Sequence, residues 1–169
     1  MENQEVLTKN RIQELVITRI FNAPRELIWK AWTYPAIVQQ WWGPKYFTAP
    51  YIKIDLRVGN EYLYCMNSPD GKNYWNKGVF QEINYPERIV VTISFTDERG
   101  DVVPATYYGL SQDFPLESLI TVMFEEFNQN LTQLTLHYSG IPDEDFARTQ
   151  SGWNESLDKL ADVLENIEE

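Results

Sequence analysis

The chain is poor in the residues on which most reaction chemistry depends. One cysteine, Cys65, and one histidine, His137, stand among 169 residues. A lone cysteine excludes an internal disulfide and a cysteine-built zinc site. Nucleophilic catalysis needs an activated residue beside a base, and so sparse a supply offers little of either. No stretch approaches the roughly 18 uninterrupted apolar residues of a membrane span. The start, Met1 to Asn10, lacks the basic residues and apolar block of a signal peptide, so a cytoplasmic, reduced setting is expected. Cations are also short: 14 Lys and Arg against 25 Asp and Glu give a net charge of −11. That balance speaks against nucleic-acid binding, which needs a basic footprint. No glycine-rich phosphate loop and no metal-ligand spacing occurs. The expectation is therefore no cofactor, no metal and no catalytic residue.

What is present is apolar and aromatic. Hydrophobic residues make up 43% and aromatic ones 14% of the chain, enough for one domain with a real core and too much for general disorder. We expect a polar arm over residues 1–13 and a single domain over residues 14–169. The most informative stretch runs from Arg19 to Pro44. Asn22 is a good N-cap and Pro24 suits a first helical turn, where its missing N–H would go unpaired anyway. Leu27, Ile28, Ala31 and Trp32 recur at helical spacing. Thr33 is expected to cap a second short helix with Pro35 just inside it and Ile37, Val38, Trp41 and Trp42 on its apolar face. Gly43 suits a left-handed cap, and Pro44 forbids continuation. Helices this short do not stand alone in water and must pack on something large.

From Tyr51 onward the pattern is β. Strands are expected over Glu14–Phe21, Tyr51–Leu56, Glu61–Met66, Tyr74–Ile83, Arg88–Thr96, Leu119–Phe127 and Leu131–Ser139, with Pro69-Asp70-Gly71 as a strong turn. Asp97 to Glu117 is long for a loop, yet too aromatic for disorder, and reads as a packed flap. The last segment is an amphipathic helix with Trp153, Leu157, Leu160, Ala161, Leu164 and Ile167 on one face. Asp143 to Glu169 carries −7 of the net charge, which reads as a solvated helix face, with a docking face for a basic partner as the alternative. Gly152, near the start of that face, implies a close backbone approach. The element order predicts an α+β fold in which an antiparallel sheet wraps the terminal helix, and the space between them is the natural cavity.

Residue by residue the chain resembles a known family. Ala23-Pro24, Trp32-Thr33 with Pro35, Trp41-Trp42-Gly43-Pro44, Asp55-Leu56-Arg57, Pro69-Asp70-Gly71, Gly78, Pro86-Glu87-Arg88, and Gly152-Trp153 with Leu157 are similar to the activator-of-heat-shock-protein-90-ATPase-like branch of the START/SRPBCC (Bet v 1-like) superfamily. The likeness runs from about Glu14 to Leu164 and implies the helix-grip fold. Val58-Gly59-Asn60 stands where the family often has Pro-Gly-Gly, and the segment 97–117 is longer than usual. Co-chaperone members carry a further N-terminal domain, for which this chain has no room.

Taken together, these readings predict a non-enzymatic protein that binds a small hydrophobic or aromatic molecule in the internal cavity. The candidate cavity residues are Trp41, Trp42, Tyr62, Tyr64 and Trp75 on the helix pair and first strands, then Phe80, Phe95, Tyr138, Trp153 and Leu157. Tyr and Trp carry polar tips that seek partners when buried. Tyr107, Tyr108 and Phe114 are the candidate gate. The resemblance adds an alternative, a chaperone or other protein partner in a stress response. A cyclase- or hydrolase-type enzyme with acid or base groups in the cavity is the third reading. By strand alternation His137 points away from the core, Cys65 reads as an inert thiol, and Asp55 and Glu61 read as turn or ion-pair residues. A monomer or homodimer is expected.

Overall fold

Alternating apolar residues assemble here into a seven-stranded antiparallel sheet, in a computed structural model that describes residues 11–167. The strands are β1 (Ile12–Phe21), β2 (Thr48–Ile54), β3 (Glu61–Asn67), β4 (Asn73–Asn84), β5 (Arg88–Thr96), β6 (Ser118–Asn128) and β7 (Leu131–Pro142). Their order is β1-β7-β6-β5-β4-β3-β2, so β1 and β2 are the two edges. Between these edges in sequence lie α1 (Arg25–Thr33) and α2 (Pro35–Trp41), and α3 (Asp143–Leu164) closes the chain. This is the curved sheet and long terminal helix of the helix-grip fold, with the short helix pair after the first strand. Residues 1–10 of the expected arm lie outside the described residues, and β1 opens at Ile12, two residues before its expected start.

The two short helices begin differently from the sequence expectation. Pro24 itself is the N-cap of α1, with no side-chain cap, and Asn22 precedes it. Tyr34, not Thr33, caps α2, with Pro35 in its first turn. Thr33 instead turns its hydroxyl back to Trp29 O at 2.8 Å, the i−4 bond open to a threonine inside a helix. Gly43 has φ +101°, as a left-handed stop requires.

The inner face of the sheet and the apolar stripe of α3 form one core containing Leu15, Ile28, Trp41, Val122, Leu134, Leu136, Leu157 and Leu160. Asp143, Glu144 and Asp145 lie in the first turn of α3, where negative charge offsets the positive end of the helix dipole. Arg19 on β1 pairs with Asp158 at 2.6 Å and fixes the helix across the sheet. Lys159, one residue on, donates to Gly43 O (2.9 Å), Pro44 O (3.2 Å) and Phe47 O (3.2 Å), binding the connector after α2 to α3. A Cβ at Gly152 would stand 3.3 Å from Pro44 Cγ, which is the close approach expected of that glycine.

The segment 97–117 is a packed flap. Val102 forms an isolated antiparallel bridge with Thr96 at the end of β5, and Ala105–Tyr108 form a single 3-10 turn. The Tyr108 hydroxyl accepts from Trp75 N–H at 3.0 Å and donates to Thr96 O, so it spans the end of the β4–β5 ladder. Buried Asp145 accepts from Ser111 N–H at 3.0 Å and from Arg148, tying the flap to α3.

Candidate functional site

The inward side of the sheet presents a row of side chains set by strand register. Phe80 on β4 pairs with Val91, Val91 with Ile120 on β6, and Ile120 with Tyr138 on β7. On β3, Tyr62 and Tyr64 point the same way, opposite Gly78 and Asn76 of β4. Gly78 is required there: a Cβ would lie 1.8 Å from Thr92 O and 2.4 Å from Tyr62 Cε2. The absent side chain is the space into which the Tyr62 ring fits.

Over this row lies an aromatic roof from the helices. Trp32 and Trp153 have planes within 5° of parallel and centroids 6.3 Å apart. Trp42 meets Trp153 edge-on at 5.3 Å and Tyr64 at 4.7 Å. Roof and row enclose a chamber whose sheet-side wall is Tyr62, Tyr64, Phe80, Ile89, Val91 and Ile120. Trp32, Thr33, Trp42 and Trp153 supply the helical side, with Ile54 and Leu56 at the end of β2. Its volume is about 30 Å³, room for one or two water molecules. The chamber is nearly filled by its own side chains.

Its polar lining is sparse. Tyr62 donates to Asn76 Oδ1 at 2.9 Å, and the Thr33 hydroxyl is spent on Trp29 O. Burial pushes the Tyr62 phenol well above its usual range, with the neighbouring phenols of Tyr64 and Tyr138 adding to the effect. Tyr64 and Tyr138 are likewise pushed up by burial. Phenols of this kind stay protonated and donate hydrogen bonds; they are poor bases. Among the described residues no carboxylate, histidine or cation lines the chamber, and no three metal-ligating side chains come together.

Of the ten candidate cavity residues, Trp42, Tyr62, Tyr64, Phe80 and Trp153 meet at the chamber. Trp41, Leu157 and Tyr138 are buried around it; Trp41 donates its indole N–H to Ala31 O at 2.9 Å. Phe95 packs away from it, against Phe114 and Tyr108. Trp75 is a correction. It pairs with Cys65 and packs against the Tyr51 ring on the outer face, because β4 turns Asn76, Gly78 and Phe80 inward and so turns Trp75 out. The expected gate is a second correction. Tyr107 is exposed, Tyr108 and Phe114 pack beneath the flap, and no residue of segment 97–117 lines the chamber. Trp32, Thr33, Ile54, Leu56, Ile89, Val91 and Ile120 were not among the candidates, and the aliphatic ones carry no mark in the sequence beyond inward parity.

Other groups with chemical capacity are already committed. His137 meets Glu14 at 2.5 Å on the outer face. Asp55 is held by Arg57 (2.7 Å) and Asn60 (2.9 Å), and hydrogen bonding from Arg57 lowers its pKa. Glu61 pairs with Lys77 at 3.4 Å, and burial pushes the Cys65 thiol up. A broader open hollow on the outer face, about 570 Å³, is bordered by these paired charges. No helix among the described residues is long and apolar enough to cross a membrane.

The comparisons agree with the geometry. A sequence model of the family described as Activator of Hsp90 ATPase homolog 1-like protein matches residues 22–165. No curated protein matches the sequence. Among solved structures, a protein from Arthrobacter aurescens superposes with TM-score 0.76 at 22% identity, covering 95% of this chain and 94% of its own. One from Chromobacterium violaceum gives 0.75 at 24%, covering 91% and 98%. The AHSA1 protein from Silicibacter pomeroyi gives 0.74 at 24%, covering 90% and 98%. At these identities the structures establish the shared fold.

Proposed function

We propose that this chain, which belongs to the Activator of Hsp90 ATPase homolog 1-like family, binds a small hydrophobic or aromatic molecule, without catalysis, between its sheet and α3. The supporting observation is the chamber itself, an aromatic enclosure of three tryptophans and two tyrosines at the centre of the fold. Drug-sized ligands occupy sites of about 300–1,000 Å³, so a volume of about 30 Å³ means that walls must move. The three roof tryptophans, Trp32, Trp42 and Trp153, are all half-buried. Outward rotation of one of these rings opens the chamber without breaking a strand pair. Tryptophan fluorescence and thermal shift against a panel of hydrophobic metabolites test this. At least one compound should raise Tm and quench or shift the emission. A panel in which nothing does so, with Trp153→Ala equally inert, sinks the reading.

The family match favours a second reading, association with a chaperone of the Hsp90 class. A filled chamber is compatible with it, and α3 presents Glu144, Asp158 and Asp162 as an exposed acidic surface. Stimulation of chaperone ATPase activity is the measurement. Absence of an effect at tens of micromolar, where about 6 kcal/mol of binding would register, counts against it.

A further inference from the structure

The two edges of the sheet are guarded to different degrees. A free strand edge offers unpaired N–H and C=O groups to any strand that meets it, and folds blunt such edges with proline, lysine, a bulge or a covering element. β2 has all four. Pro50 and Lys53 lie within it, an extra residue bulges it between Thr48 and Tyr51 where it pairs with β3, and α2 packs against it. β1 has neither proline nor lysine over its 10 residues. Its pairing with β7 is also irregular, but Gln13 meets Ile141 and Leu15 meets Tyr138, so the extra residue belongs to β7, where Gly140 has φ +79°. β1 itself is a regular strand, and among the described residues β7 alone pairs with it.

The outward side of this strand is apolar at every second outward position. Ile12, Val16 and Ile20 are 49%, 49% and 47% exposed, while Leu15 and Ile17 turn inward to the core. The pattern is self-complementary. Antiparallel pairing of two such strands about Val16 sets Val16 against Val16 of the second copy and Ile12 against its Ile20, one apolar row across the junction. Thr18 then faces Glu14 of the second copy. On the inner side Arg19 faces Gln13, the residue bonded to Asp143 at the acidic start of α3. The cationic end of each strand thus meets the acidic end of the other, twice by symmetry. A shift of two residues one way sets Arg19 against Arg11, two like charges, and the other way sets Ile20 against Glu14. We propose that β1 is an association edge for a second copy of this chain, the two strands pairing antiparallel about Val16 and joining the two sheets into one. Such an interface is isologous and closes at two subunits.

Sedimentation equilibrium of the full chain over about 1–200 μM tests this, with a dimer of Kd on the order of 10 μM expected from one strand edge and its side chains. Val16→Lys and Val16→Glu each set like charges face to face on the two-fold axis. Val16 is exposed, so both variants should keep the native near-UV circular dichroism and sediment as monomers throughout the range. Mixed in equal amounts they should associate one to one, because a lysine then faces a glutamate. An unmodified chain that stays monomeric to the top of the range overturns the proposal. Self-association that survives both substitutions overturns it, since the contact then lies elsewhere. A mixture that remains monomeric overturns it as well, because the strands then do not meet about Val16.

Discussion

The ammonium of Lys159 holds three carbonyl oxygens of the Gly43–Phe47 connector at once. Burial lowers its pKa, so its charge is carried at a desolvation cost that these bonds must offset. Hydrogen bonds to charged groups contribute about 1.5–3 kcal/mol. Lys159→Met keeps the aliphatic stem and removes the donors, and should cost about 2 kcal/mol. A lower urea midpoint at unchanged m is the expected result, and an unchanged midpoint would show the contact to be idle. Tyr46, in the same connector, has φ +70°, a conformation that costs a non-glycine residue about 1–2 kcal/mol and that the Lys159 clamp helps to hold. Gly78 is the other residue on which the site depends. Its replacement by alanine puts a methyl into Thr92 O and the Tyr62 ring, overpacking that should cost about 3 kcal/mol. Displacement of Tyr62 would accompany it, seen as a loss of near-UV circular dichroism; a variant of native stability and spectrum would refute the role given to that glycine.

Among the elements, the flap over residues 97–117 shows how a long loop is made rigid. Its fixed points are the Tyr108 hydroxyl, inserted between Trp75 N–H and Thr96 O, and the Asp145 carboxylate on Ser111 N–H. Gly140 permits the contact beside it, since φ is +79° and a Cβ would lie 2.8 Å from Pro115 Cγ. Tyr108→Phe should lower stability by about 1–3 kcal/mol and speed amide exchange at Trp75 while strands β6 and β7 keep their protection; uniform exchange changes would argue against a local role. The strands themselves were legible because alternation and turn residues declare them: β5 spans Arg88–Thr96 as the sequence predicts. The helix caps were less so. Pro24 can end an extended segment without any side-chain bond, and Thr33 has an intrahelical partner that outcompetes capping. In the site, Tyr62, Tyr64 and Phe80 were legible as inward aromatics. Trp75 faces outward because its spacing from Phe80 is odd, and aromatic character carries no information about which face a strand residue takes. Ile89, Val91 and Ile120 enter through register between strands distant in sequence, which no local pattern reveals. The segment 97–117 does not reach the chamber, because loop length says nothing about which end of the cavity a loop covers.

For the molecule as a whole, the buried phenols couple the site to alkaline stability. Burial raises Tyr62, Tyr64 and Tyr138, and also Tyr108, above the ordinary value of 10.0. As pH climbs past about 10 the unfolded chain releases these protons first, so it binds fewer protons than the native state and stability falls. The contribution is fully present below the unfolded value and is lost as pH rises through the raised native values. Each such group steepens the decline by up to about 1.4 kcal/mol per pH unit, so the three core tyrosines together approach about 4. The net charge of −11 acts in the same direction through self-repulsion. Cooperative unfolding in alkali is therefore expected, with these four phenols ionising together with the loss of near-UV circular dichroism. Tyr138→Phe should flatten the dependence of urea midpoint on pH above 10 by about one proton's worth. If phenolate absorbance were complete for all ten tyrosines while the near-UV signal persisted, the core phenols would be reachable by solvent in the native state. The chamber would then be an open, hydrated channel.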